Sequence, residues 1–167
     1  MPRRPIVCLL VFAVCLAAPA ASAPAVAAPK ATSSDRDLQR QILRIVNKVR
    51  ARHRLPRLRR QPLLARGASL HSAFQLDAGR PSHATPEGTR FAERLRRYTR
   101  ARTIGETIAW VASAEGAAAV VRMWMNSRSH RRVLLDRRFR RLGIGSRSGK
   151  LNGHAMTVVT ANFASSR

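Results

Sequence analysis

Apolar residues recur at helical spacing through the first two-thirds of the chain, and the last third changes to a strand-like alternation. In "SSDRDLQRQILRIVNKVRARHRL", residues 33 to 55, Leu38, Ile42, Ile45, Val46 and Val49 share one helical face. Ser34 and Asp37 offer this helix a capping-box start, and "LPRLRRQP" breaks it. Pro62 suits the first turn of a second helix, "PLLARGASLHSAFQLDA", which aligns Leu64, Ala68 and His71. "GRPSHATPEG" is rich in turn formers. "TRFAERLRRY" then carries Phe91, Leu95 and Tyr98 at helical spacing, and "RTIGETIAWV" reads as a loop or short extended piece. "SAEGAAAVVRMWMNS" predicts a further helix, with Ser113 as its cap and Val120 and Trp124 facing inward.

From "FRRLGIGSRS" onward the period is two, and "GHAMTVVTANF" is rich in β-formers, with "GKLNG" between them supplying hairpin residues. Helices followed by antiparallel strands indicate an α+β fold rather than a parallel α/β layout. No internal repeat interrupts this order.

The first 27 residues stand apart. "MPRR" is a positive n-region, "IVCLLVFAVCLAA" an apolar h-region, and "PAASAPAVAAPKA" a small-residue tract suited to cleavage after Ala27 or Ala20. The apolar run is short for a bilayer span, and no later segment approaches spanning length. The expectation is export by a signal peptide (1–27), a flexible lead-in (28–37) and one domain (38–167), secreted and without a transmembrane segment. Cys8 and Cys15 both lie in the signal segment, so the mature domain folds without disulfides. Its length suits a single core, and a monomer is expected.

Charge narrows the function classes. The chain has 32 Lys+Arg against 8 Asp+Glu, a formal charge of +24. All but Lys30, Lys48 and Lys150 of the cations are arginines, scattered through every segment. Such a surface attracts polyanions. No zinc-finger, RNA-recognition or helix-turn-helix pattern accompanies it, which disfavours a specific nucleic-acid partner.

Against that background Glu106, in the apolar "IGETIAW", is conspicuous, as are His71, His83, His130 and His154. Singly each has an ordinary explanation: a turn residue for His83, backbone capping for Glu106, a helix-dipole partner for His130. Trp124 fits core packing, His71 a structural role and His154 an exposed strand start. Ser127 lies three residues before His130, but no oxyanion-hole glycine motif supports a nucleophile.

Taken in order, these segments resemble the CAP superfamily of cysteine-rich secretory, antigen 5 and pathogenesis-related-1 proteins, in its bacterial, SCP-like branch. "ILRIVNKVRARHRLPRLRRQPLLARGASLHS" is similar to the family's opening helices, "SHATPEG" to its "SHxxPDG" turn and "GETIA" to its "GENIA". "VVRMWMNSRSHRRVLLDRRFRRLGIG" is similar to "VVxxWMNSPGHRANILxxxFxxIGVG", and "MTVVTANFA" stands at the closing strand. The resemblance runs over about residues 40 to 163.

The resemblance implies a three-layer α-β-α sandwich with a central antiparallel sheet. It also implies a cleft formed by His83, Glu106 and His130, with Ser127 where eukaryotic members place a second glutamate. Two imidazoles and a carboxylate suit a divalent metal such as zinc, with one position open to water. "GET" for "GEN" puts Thr107 in place of an amide. Arg131 and Arg132 beside His130 repel a cation locally. Together these point to an extracellular binding protein, not an enzyme, for an anionic wall polymer, a lipid or a protein ligand. The alternatives are a metal-dependent hydrolase using the trio, and a cationic protein that binds polyanions by charge.

Overall fold

The computed structural model describes residues 32–85 and 87–166. The expected signal segment lies outside the described residues. Helix α1 (Ser33–Arg52) starts earlier than its sequence pattern predicts. Thr32 rather than Ser34 is the N-cap, and Thr32 and Asp35 form the reciprocal capping box. Asp35 is further held by a hydrogen bond from Ser146 Oγ at 2.8 Å, a tertiary contact that selects this register over the one two residues on. Residues 33–37, expected in the lead-in, are therefore helical.

After α1 come β1 (Arg59–Arg60), α2 (Pro62–Asp77), α3 (Phe91–Arg96) and β2 (Ile104–Ala112). The chain continues through α4 (Ala117–Asn126), α5 (Arg128–Leu134), β3 (Phe139–Leu151) and β4 (His154–Ser165). The strands form one sheet in the order β1-β3-β4-β2. β2, β4 and β3 are antiparallel neighbours, and β1 adds a two-residue parallel edge beside β3. The piece expected to be loop or short extended chain, "RTIGETIAWV", is mostly strand, with β2 paired to β4 along its whole length. At the expected hairpin, Asn152 and Gly153 both take positive φ (49° and 81°), the backbone of a primed two-residue turn.

Helix α4 begins at Ala117 with Gly116 as its cap, not at Ser113. The Ser113 amide instead bonds to Ala155 O, extending the β2–β4 ladder by one residue, and its hydroxyl accepts from Thr157.

The alternation of β3 and β4 sorts the two faces of the sheet. Leu142, Ile144, Val159, Ala161 and Phe163 turn toward α1 and α4, where Ile42, Val46, Val120 and Trp124 complete the main core. Trp124 is fully buried and donates from its indole N–H to Ile108 O at 2.9 Å. The opposite face carries Gly143 and Gly145, and α2 lies directly on them. A Cβ at Gly143 would stand 2.1 Å from Ala65 N, and one at Gly145 2.1 Å from Ser69 N. This is the α-β-α sandwich of an α+β fold.

Close approach brings a polar layer between α2 and the sheet. Ser72 donates to Gly145 O or Thr160 Oγ1, and the Gln75 amide bonds Thr160 Oγ1 at 3.1 Å. Trp110 Nε1 donates to Gln75 Oε1 at 3.2 Å. Buried polar groups are tolerable where each finds a partner, and this layer leads directly to the site.

Candidate functional site

Helix α2 positions the loop that bears His83. His71 and Gln75 lie one turn apart on its buried face, and both grip Ser82. His71 Nε2 donates to Ser82 O at 2.8 Å, and Ser82 N donates to Gln75 Oε1 at 3.4 Å. A carbonyl can only accept, so the His71 proton sits on Nε2 and Nδ1 is left bare and buried without a partner. Burial holds His71 below the ordinary imidazole range and Arg94 adds to the lowering, while Glu106 opposes it. The expected structural role fits this clamp, although His71 Nε2 also lies 3.9 Å from Glu106 Oε1.

The clamp presents His83 to Glu106. In β2 the residues alternate between faces, and Glu106 pairs across the ladder with Asn162, on the α2 side. Its neighbour Thr107 falls on the other face, fully buried with its hydroxyl unpartnered, and takes no part in the cleft. His83 Nδ1 lies 2.9 Å from Glu106 Oε1. Because the carboxylate accepts, Nδ1 donates to it, and Nε2 points away from Glu106 on a half-exposed side chain.

The second carboxylate oxygen has a partner that sequence reasoning missed. Arg94 of α3 reaches Glu106 Oε2 with Nη2 at 2.5 Å and also contacts His83 O at 3.4 Å. Arg94 and Glu106 are both buried. A signal was present in the sequence. Arg94 stands one position before Leu95 and three after Phe91, inside the apolar face of its helix. A guanidinium there requires an internal anion.

His130 enters from the other side. Ser127 caps α5, with its hydroxyl accepting from His130 N at 3.5 Å and bonding Ser129 Oγ at 3.1 Å. Ser127 is thus a helix cap that sets the position of His130, rather than a side chain bonded to Glu106 or His83. The rings of His83 and His130 meet edge to face with centroids 6.0 Å apart, and Phe91 meets His83 similarly at 6.3 Å. Burial, then the neighbouring His83, holds His130 below its ordinary value, and its Nδ1 is buried without a partner. The expected trio is therefore a chain of contacts: Glu106 touches His83, and His83 faces His130.

A divalent metal fits this arrangement poorly. Both Glu106 oxygens are engaged, one by a buried guanidinium, and a cation placed there would have to displace Arg94 or lie against it. Among the described residues no three His, Cys, Asp or Glu side chains group as a metal set. The resemblance implies zinc ligation by His83, Glu106 and His130; the ion pair with Arg94 gives that carboxylate a different counterion. His154, with no place in the cleft, starts β4 and is exposed.

A three-layer sandwich around a largely antiparallel sheet is the architecture of an SCP-like domain. The chain belongs to the CAP family, the cysteine-rich secretory protein family, whose pattern matches residues 43–163. It is similar to an SCP-domain extracellular protein of Bacillus anthracis, with 30% identity and a TM-score of 0.66 over 82% of this chain. The matched region spans 45% of that protein's length. An outer surface protein of Borrelia burgdorferi shares the fold at 20% identity and TM-score 0.63, over 78% of this chain and 94% of that one. A cysteine-rich secretory protein of Staphylococcus aureus does so at 14% and 0.60, over 81% and 41% respectively. No match was found among curated proteins. Among the described residues no helix is long and apolar enough to cross a membrane.

Proposed function

We propose that the protein is exported and acts outside the cell as a non-catalytic binding module. Its cleft presents His83 and His130 to a ligand of the cell envelope, whether wall polymer, lipid or protein. The observation that carries this reading is the engagement of both Glu106 oxygens by His83 and Arg94. A carboxylate held this way is neither a free general base nor an open metal ligand. Its task is to fix the tautomer of His83 and keep the ring in place, which suits recognition more than turnover. Ser127, committed to capping α5, supplies no activated nucleophile.

The test is an array of wall-polymer fragments, glycans and lipids probed with the mature domain at physiological salt. A His83→Ala/His130→Ala variant serves as the cleft control. Expected are saturable binding by the native domain, at least a tenfold loss in the variant, and no hydrolysis of ester or peptide substrates with or without added zinc. Equal binding by the two proteins, or zinc-dependent turnover, would overturn the reading.

A further inference from the structure

The β1 edge of the sheet, remote in the strand order from the edge that carries Glu106, gathers arginines for which no Asp or Glu among the described residues forms a salt bridge. β1 pairs in parallel with β3 so that Arg59 stands opposite Arg141. Directly paired residues on neighbouring strands project to the same face, so the two arginine side chains leave the sheet side by side. Like charges on directly paired residues repel, and an anion between them would relieve that repulsion.

The surroundings reinforce the pair. A depression of about 820 Å³ at this edge is lined by Arg57, Arg59, Arg140 and Arg141. A second, of about 350 Å³, is lined by Arg96, Arg97, Arg100 and again Arg141. Arg141 borders both, so the two depressions adjoin at this residue. No Asp or Glu side chain lines either one. Among the described residues, the salt bridges made by arginine involve Arg40, Arg94 and Arg138, none of which lines either depression. Arg57 and Arg59 are exposed and Arg141 is half-buried.

We propose that this edge is a binding track for a linear polyanion with a phosphate backbone. The ligand threads past Arg57, Arg59 and Arg141, and its phosphates relieve the repulsion between the paired strands. Guanidinium groups suit phosphate because their planar donors can bind two oxygens at once. A line of cations with an open end favours an extended chain over a compact anion. The site is independent of the His83–His130 cleft and stands whether or not that cleft binds a ligand.

The test compares two variants that lose the same charge in different places. R57Q/R59Q/R141Q empties the track. R44Q/R52Q/R122Q removes three exposed helix arginines elsewhere. The probes are inorganic polyphosphate and an oligothymidylate, which separate a simple phosphate chain from a nucleic acid, and phosphatidylglycerol vesicles as a membrane surface. Each phosphate contact with a single strand contributes a salt slope of about 0.7. The track variant should therefore lose at least tenfold in affinity for both chains, with a slope shallower by about two. The helix variant should keep most of both.

Polyphosphate should also raise the thermal midpoint of the native protein and of the helix variant, but not that of the track variant. R57Q/R59Q, confined to exposed positions, should show the same effect in smaller measure. Without ligand, the track variant should be no less stable than the native protein, because it removes a repulsion. Equal weakening in both triple variants would overturn the track in favour of bulk charge. A track variant that loses vesicle binding while keeping polyphosphate would overturn the choice of a linear chain.

Discussion

Arg94 Nη2 lies 2.5 Å from Glu106 Oε2, and both side chains are almost wholly removed from water. Each ion would be costly alone in that position, and each makes the other tolerable. The pair also ties α3 to β2 and, through His83 O, to the loop that carries the outer imidazole.

Breaking the pair from one side should be costly. Glu106→Gln leaves a buried guanidinium without its anion, and Arg94→Met leaves the carboxylate without its cation. Either should cost about 3 kcal/mol or more. The double variant should recover a large part of that loss, since two neutral groups need no compensation. Urea unfolding of the four proteins checks this, and additive losses would show that the two ions act independently.

How far the site was legible depends on which residues are locally marked. His83 and Glu106 sit in distinctive short patterns, and a lone acid in an apolar run of a basic chain stands out. Arg94 does not, because one guanidinium among so many looks like solvated surface. Its role follows from where α3 lands against β2, which no local spacing encodes. The strand period of "LGIG" was likewise legible. The same glycines seat α2 on the sheet, and that requires knowing which helix covers them.

Gly143 should therefore tolerate no side chain. Its Cβ would overlap the backbone of α2 at Ala65 N and Leu64 C, 2.1 and 2.2 Å away, where no rotamer change gives relief. Gly143→Ala should cost about 3 kcal/mol, the upper end for overpacking, by forcing α2 off the sheet. Gly116→Ala, where nothing lies within 4 Å, is the control and should be mild. Chemical denaturation separates the two, and similar losses would contradict this account of the α2–sheet contact.

Arg50 is a structural cation of a different kind. Fully buried at the end of α1, it donates to the carbonyls of Pro56, Leu134, Asp136 and Phe139. Three of those bonds join α1 to the segment from the end of α5 to the start of β3, and the fourth holds the chain just after α1. Arg50→Leu keeps much of the apolar stem but orphans carbonyls in the interior. The expected loss is about 3 kcal/mol or more, because hydrogen bonds to a charged donor are among the stronger ones. Lysine could reach only some of these acceptors, so Arg50→Lys should recover the stability only in part. Full recovery by lysine would show that charge rather than the fork matters.

Acidification should weaken the fold through the two depressed histidines. His71 and His130 are both held below their ordinary values, chiefly by burial. The unfolded chain therefore binds protons at a higher pH than the folded one does, so stability rises with pH across that interval. Their contribution is complete above the unfolded imidazole value, near 6.5, and is lost as pH falls from there through the folded values. Urea midpoints measured from pH 8 to 5 should decline across this window. His71→Gln, whose amide can still donate to Ser82 O, should flatten the decline. An unchanged pH profile in that variant would remove His71 as a source of the effect and leave His130 to account for it.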